Sequence, residues 1–293
     1  MFKIVCHGGA GSRGPKFELK NQIVAQAARA GMSAMQAGGD AVSAVVTAVS
    51  LMEDSPLLNA GTGSYVQTDG MVRMDASIMD QDLNVGAVIG ITNVRNPIQV
   101  ARLLKDTGLH SILSGELATE FAWSQGIPAY DPRTVEKLEI WLELRKKFQH
   151  RTNLEMMVKL REMVQNEEAL GTVGCVAMDG EGVIAAGTST GGLKLDMPGR
   201  VGDVPLIGCG TYANRFGGIS CTGIGEKIIK VCLANTVADF IGQGKSAQEA
   251  CELGMQEIAT VSGRAGLICI DSAGNIGHAF NTEVMSFCQL EEE

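Results

Sequence analysis

The pattern of apolar and polar positions predicts a mixture of helices and hairpins. A mostly apolar run over residues 2–6 reads as a strand leading into the glycine-rich stretch HGGAGSRG. Residues 21–37 read as a helix closed by Gly38 and Gly39, and Asp40 then serves as N-cap for a second helix over 41–51. That second helix is almost wholly apolar or small, which predicts burial. Three hairpins are predicted: 64–67 with 71–76 around Asp69-Gly70, 173–178 with 183–188 around Asp179-Gly180, and 267–270 with 276–280 around 272–275. Residues 85–92 read as a buried strand. Residues 226–241 read as a helix, and Ser246 with Glu249 forms a capping-box pattern opening another that runs to about Thr260. Hairpins of this number imply antiparallel sheet.

Residues 133–168 break this texture, being charged, helix-forming and nearly free of glycine between two glycine-rich halves. They read as an internal linker or lid, with a surface helical insertion as the plainer alternative.

Composition narrows the function classes. The 293 residues suffice for one large domain or two small ones, and 45% apolar content supports a substantial core. A formal net charge of −9, only 4% aromatics and no Lys/Arg block argue against nucleic acid or an anionic membrane surface. A small-molecule or peptide partner is expected. Without a basic leader followed by a long apolar stretch, the expected location is the cytoplasm. The eight cysteines contain no C-x-x-C pair and mostly sit in apolar runs, so buried free thiols are expected; the scattered histidines 7, 110, 150 and 278 give no local transition-metal motif.

Two phosphate-binding patterns are decoys. Gly9, Gly11 and Gly14 have the G-x-G-x-x-G spacing, but Pro15 follows at once and Asp40 starts a helix where an acidic strand end is needed. GQGKS at 242–246 has Asp239 where a P-loop requires glycine.

The most informative segment is LGTVGCVAMDGEGVIAAGTSTGGLKLDMPGRVGD, residues 170–203, which sets a Gly-Thr bond between the charged linker and a predicted strand. With HGGAG at 7–11, NAGTGS at 59–64, MDASIMD at 74–80, NPIQVARLL at 96–104, CTGIGE at 221–226 and FNTE at 280–283, the chain resembles the plant-type asparaginase and isoaspartyl peptidase family of N-terminal nucleophile hydrolases. The resemblance implies an α+β, four-layer αββα fold with mainly antiparallel sheets. It also implies self-cleavage between Gly171 and Thr172, giving an alpha chain 1–171 and a beta chain 172–293. A threonine hydroxyl is a weak nucleophile without a base, and a freed α-amine with a pKa of about 8 supplies one in the same residue. Gly171 lacks a Cβ and so allows close hydroxyl approach for the N-to-O acyl shift.

The resemblance further assigns Thr190 to bond the nucleophile, Arg200 and Asp203 to hold the carboxylate and ammonium of an aspartyl zwitterion, and Thr222 with Gly223 to form an oxyanion hole. Gly225 matches a substrate-contact position, Asn59 a segment shaping the nucleophile's surroundings, and Gly8, Gly9 and Gly11 a turn passing beside Thr172. Asp75 and Asp80 lie in a family motif without an assigned task. Each residue alone has a structural reading, as a strand residue, a strand-end hydroxyl or, for Arg200 with Asp203, a salt bridge. The ordered set favours function.

By the same resemblance the loop from Leu51 to Asn59 binds structural sodium through backbone carbonyls, no cofactor serves catalysis, and two alpha-beta protomers form a homodimer. The implied activity is hydrolysis of β-aspartyl dipeptides and of L-asparagine. Two alternatives stay open: an uncleaved, non-catalytic scaffold that binds amino acids or a partner protein, and a glycosylasparaginase-like amidase. Ala265 and Val284 stand where glycine is usual, and the chain ends soon after; these departures are expected to touch the final hairpin and sheet edge.

Overall fold

The computed structural model describes residues 1–147, 155, 158 and 171–292. Much of the charged linker therefore lies outside the described residues. The strands are β1 (Phe2–Gly11), β2 (Met74–Asp80), β3 (Val85–Ile91), β4 (Ile112–Ser114), β5 (Val173–Met178), β6 (Ile184–Thr190), β7 (Thr211–Asn214), β8 (Gly217–Gly223), β9 (Ala265–Asp271), β10 (Ile276–Phe280) and β11 (Val284–Glu292). The helices are α1 (Phe17–Gln36), α2 (Ala41–Glu53), α3 (Pro97–Thr107), α4 (Gly115–Ser124), α5 (Val135–Lys147), α6 (Gly225–Val231), α7 (Leu233–Gly242) and α8 (Ala247–Thr260).

One sheet has the order β11-β1-β5-β6-β2-β3-β4 and the other β10-β9-β8-β7. Every pairing is antiparallel except β3 with β4. Helices α1, α2 and α3 cover one face of the larger sheet, and α7 and α8 cover the smaller. Between the sheets lies a third apolar layer containing Val5, Val176, Ala186, Ala213 and Ile268. Helix α2 is buried as its composition predicts: Ala44, Val45, Ala48 and Val49 are fully inaccessible. Asp40 caps it by accepting from the Ser43 amide at 2.8 Å.

Two predicted elements are corrected. Residues 64–73 make a turn, with Gln67 N–H donating to Met71 C=O at 2.8 Å, but no hairpin ladder. Their backbone groups are taken by a distant loop instead: Thr68 N–H donates to Asp196 C=O and Leu195 N–H to Val66 C=O. The true partner of β2 on this side is β3. The helix predicted over 226–241 is two helices, broken at Cys232, whose φ is 45°. At the start of α7 the Ala234 and Asn235 amides turn to the carbonyls of Cys209 and Gly208, at 3.1 and 2.9 Å, so tertiary acceptors replace continuation of the helix.

The decoy glycines find ordinary structural uses. Gly242 ends α7, and Ser246 with Glu249 forms a complete capping box opening α8. Gly9 and Gly11 lie within β1, at and beyond a register shift between His7 and Ala10. The thiols are free, six of the eight cysteines being buried.

Candidate active site

The site forms where the inner ends of β5 and β6 meet. Val173 pairs with Ser189 across these strands, which sets Thr172 beside Thr190. Both side chains are buried, and the Thr172 hydroxyl donates to Thr190 Oγ1 at 3.3 Å. Thr190 Oγ1 also accepts from Gly192 N–H at 3.2 Å, which fixes the oxygen's position. Gly171 is half-buried at the mouth of this strand end.

Beneath the nucleophile candidate the sheets are joined by a buried polar chain. His7 Nε2 lies 2.9 Å from Ser220 Oγ, which lies 2.7 Å from Thr188 Oγ1, and Thr211 and Ser77 continue the chain to the Val204 carbonyl. Burial pushes His7 down to about 3, opposed by the Thr172 backbone, so the ring is neutral. The glycine of GTVG has its reason here. A Cβ on Gly174 would stand 2.0 Å from Ser220 Oγ and 2.5 Å from His7 Nε2, so only glycine lets the pair meet.

The loop 191–203 carries the candidate zwitterion clamp. Arg200 does not pair with Asp203, which overturns the salt-bridge alternative. Its Nε and Nη2 donate to Glu226 at 3.3 and 3.0 Å, and Nη1 lies 3.3 Å from Asp196. Asp203 is buried with Oδ2 lacking a partner among the described residues. Burial pushes its carboxyl up to about 7, against its own backbone amide and the pull of Arg200. Gly225, at the start of α6, faces both groups: a Cβ there would lie 2.8 Å from Asp203 Oδ1 and 3.0 Å from Arg200 Nη2. A buried carboxylate short of one partner beside a fixed guanidinium suits a ligand carrying an ammonium.

Thr222 and Gly223 end β8. The Thr222 hydroxyl is buried with no partner among the described residues. Gly223 is in register with Ala265 of β9. The departure at Ala265 thus falls in a sheet interior against the candidate oxyanion position, not at an edge. Asn281 of FNTE holds it there, its Oδ1 accepting from Ala265 N–H at 2.8 Å. Val284 does sit at an edge, opening β11 opposite Gly11.

Asn59 acts as a stitch: its amide donates to Gly192 C=O at 2.7 Å and its Oδ1 accepts from Tyr65 N–H at 3.0 Å. NAGTGS and STGG, far apart in sequence, are thereby one unit. The glycines of HGGAG lie within β1, not in a strand-to-loop turn. Gly8 faces α1, where a Cβ would stand 2.6 Å from Val24 Cγ2, and Gly9 has φ 105° at the strand irregularity.

The two aspartates of β2 separate by task. Asp75 is in register with Thr190 and accepts from Gly90 N–H at 2.7 Å. It lines a cavity of about 270 Å³ with Arg200 and Asp196, and burial raises it to about 6. Asp80 instead holds the β2–β3 turn, accepting from the amides of Asp82 and Asn84, and meets Lys105 at 3.0 Å. Glu53, Asp196 and Ser189 are polar groups of the site region that sequence reasoning missed. Glu53 is fully buried and accepts from Ser189 Oγ at 2.6 Å and Ile98 N–H at 3.0 Å; burial raises it to about 8 despite those bonds. The signal for Glu53 was an acid ending helix α2, which is otherwise built of apolar residues, serine and threonine.

Two mainly antiparallel sheets packed on each other between helices form the αββα sandwich characteristic of N-terminal nucleophile hydrolases. Comparison with known proteins narrows this to one family. The profile of the family described as Asparaginase matches residues 1–293. The plant-type L-asparaginase of Pyrococcus furiosus is 45% identical over a 299-residue alignment covering 100% of this chain and 97% of that protein. The plant-type L-asparaginase of Thermococcus kodakarensis is also 45% identical, with the same coverage. The isoaspartyl peptidase/L-asparaginase of Danio rerio is 40% identical, with 99% and 92% covered. The chain belongs to the plant-type L-asparaginase and isoaspartyl peptidase family, and it is a hydrolase.

Proposed function

We propose that the chain cuts itself between Gly171 and Thr172 and then hydrolyses β-aspartyl dipeptides and L-asparagine. The observation that carries this reading is the buried Thr172 hydroxyl, 3.3 Å from Thr190 Oγ1 at the first position before β5. In maturation Thr172 Oγ attacks the Gly171 carbonyl carbon and the C–N bond breaks. Water then hydrolyses the resulting ester, leaving a Gly171 carboxylate and a free Thr172 amine. In turnover that amine takes the Thr172 hydroxyl proton, Oγ attacks the side-chain carbonyl of the substrate, and ammonia or the peptide amine departs with a proton. Water hydrolyses the aspartyl ester and restores the hydroxyl.

Thr222 Oγ and the Gly223 amide receive the tetrahedral oxyanion, a role supported by a hydroxyl buried without a partner among the described residues. Arg200 holds the α-carboxylate and Asp203 the α-ammonium. The ammonium favours the ionised form of Asp203 against the burial that raises its carboxyl to about 7. Sodium, if held, would sit at the loop from Leu51 to Asn59 on backbone carbonyls. Carbonyls suit a hard cation, whose task would be to hold that loop. The expected setting is the cytoplasm and the expected assembly a homodimer of alpha-beta protomers. No helix among the described residues is long and apolar enough to cross a membrane.

Intact mass and a denaturing gel after incubation test the reading. Two fragments split before Thr172, with release of aspartate from β-aspartyl dipeptides or asparagine, are expected, and Thr172→Ala abolishes both. A persistent full-length chain without activity would favour the binding scaffold, and continued processing of the Ala variant would remove Thr172 as nucleophile.

A further inference from the structure

Away from the clamp, where α5 meets the body, lysines from separate segments converge on one aromatic ring. Lys16 precedes α1, Lys20 lies near its start, Lys137 belongs to α5, and Lys194 follows the Gly191-Gly192 turn. All four line a cavity of about 220 Å³ together with Tyr65. Lys137 Nζ stands 3.8 Å from the Tyr65 ring centroid and Lys194 Nζ 5.5 Å from it. Glu136 is the single carboxylate among the described residues lining the cavity, and Lys16 takes it at 2.8 Å. In a chain whose formal net charge is −9, four lysines and one carboxylate are thus the charged groups lining this cavity among the described residues.

This concentration is costly as it stands. Half-buried Lys137 rests on an aromatic face, which offsets only part of the desolvation of an ammonium. Burial, followed by repulsion from Lys194, Lys20 and Lys16, brings Lys137 down to about 8 against the attraction of Glu136. An anion in the cavity would reverse those repulsions and tie α5 to the body. The walls also reach the catalytic region: Asn59 bonds both the Tyr65 amide and the Gly192 carbonyl, on either side of the cavity's Tyr65 and Lys194.

We propose that this cavity is a binding site for a small, multiply charged oxyanion, held between Lys137 of α5 and Lys194 of the body. The ligand class is set by the convergence of ammonium groups on a cavity of that size, and both phosphate and polycarboxylate compounds fall within it.

Calorimetric titration of the full chain with sulfate, pyrophosphate and citrate, at ionic strength held constant with chloride, tests it. Saturable binding of at least one is expected, weakened at least tenfold in the Lys137→Gln, Lys194→Gln double variant. Pyrophosphate and citrate arms separate the phosphate from the carboxylate source. Sulfate keeps its charge across the range, so its binding weakens between pH 7 and 9.5 as Lys137 loses its proton. No saturable binding by any of the three, or equal binding in the double variant, overturns the proposal. Should the double variant not fold, Lys194→Gln alone, on a surface loop, must weaken binding; unchanged affinity in it overturns the proposal equally.

Discussion

The hydroxyl oxygens of Thr172 and Thr190 lie 3.3 Å apart at the ends of neighbouring strands, both out of solvent. Thr190 in turn accepts from the Gly192 amide, so its oxygen is held where it accepts the hydrogen bond of the Thr172 hydroxyl and orients it. Replacing it by valine keeps the shape and removes the acceptor. Thr190→Val is expected to lower kcat about 100-fold or more with a far smaller change in KM. Steady-state kinetics on L-asparagine checks this, and a variant with unchanged kcat would remove Thr190 from the chemistry.

Asp203 makes a prediction with a defined pH sense. Its carboxyl titrates at about 7, raised by burial, so it is largely protonated below that pH and ionised above it. Only the ionised form pairs with a substrate ammonium. KM for L-asparagine is therefore expected to fall as pH rises from 5.5 to 8. Asp203→Asn removes that dependence and lowers kcat/KM about 10- to 100-fold, the loss of one charge-assisted bond.

Gly225 tests the clamp from its other side. A methyl there would press on Asp203 Oδ1 at 2.8 Å and Arg200 Nη2 at 3.0 Å, the far ends of two side chains. Gly225→Ala is expected to raise KM strongly with little loss of thermal stability. A normal KM with an unchanged Tm would show that substrate does not enter beside these groups.

Glu53 couples the buried site region to stability. Its folded-state pKa of about 8 lies above the ordinary carboxylate value because the charged form is desolvated, although Ser189 and Ile98 donate to it. The native state thus binds this proton more tightly than the unfolded chain does. The associated stability is fully present below the unfolded pKa and is lost as pH rises through about 8. Tm of the wild type is expected to decline from pH 5 to 9 more than Tm of Glu53→Gln, as read by thermal melts across that range.

How much of this was legible in the sequence depends on how locally each feature is specified. Asp40 capping α2, and Ser246 with Glu249 opening α8, were readable because donor and acceptor lie within one helical turn. Two late hairpins were readable for the same reason. The hairpin over 64–76 was misread because Asp69-Gly70 does make a turn, while the flanking backbone bonds residues 195–196 instead of itself. The helix over 226–241 was misread because its break at Cys232 is fixed by acceptors at Gly208 and Cys209.

By itself the sequence determined the ordered motifs, the antiparallel character of the sheets, the burial of α2 and the identity of the candidate nucleophile. Tertiary structure alone decided that Arg200 is held by Glu226 and Asp196, that Ala265 backs Gly223, that His7 meets Ser220 across 213 residues, and that four lysines line one cavity, with Lys137 and Lys194 over the Tyr65 ring. The physical reason is range. Turn and cap preferences act between near neighbours along the chain, whereas these contacts follow from strand register and from the packing of one sheet on the other, which no short window of sequence contains.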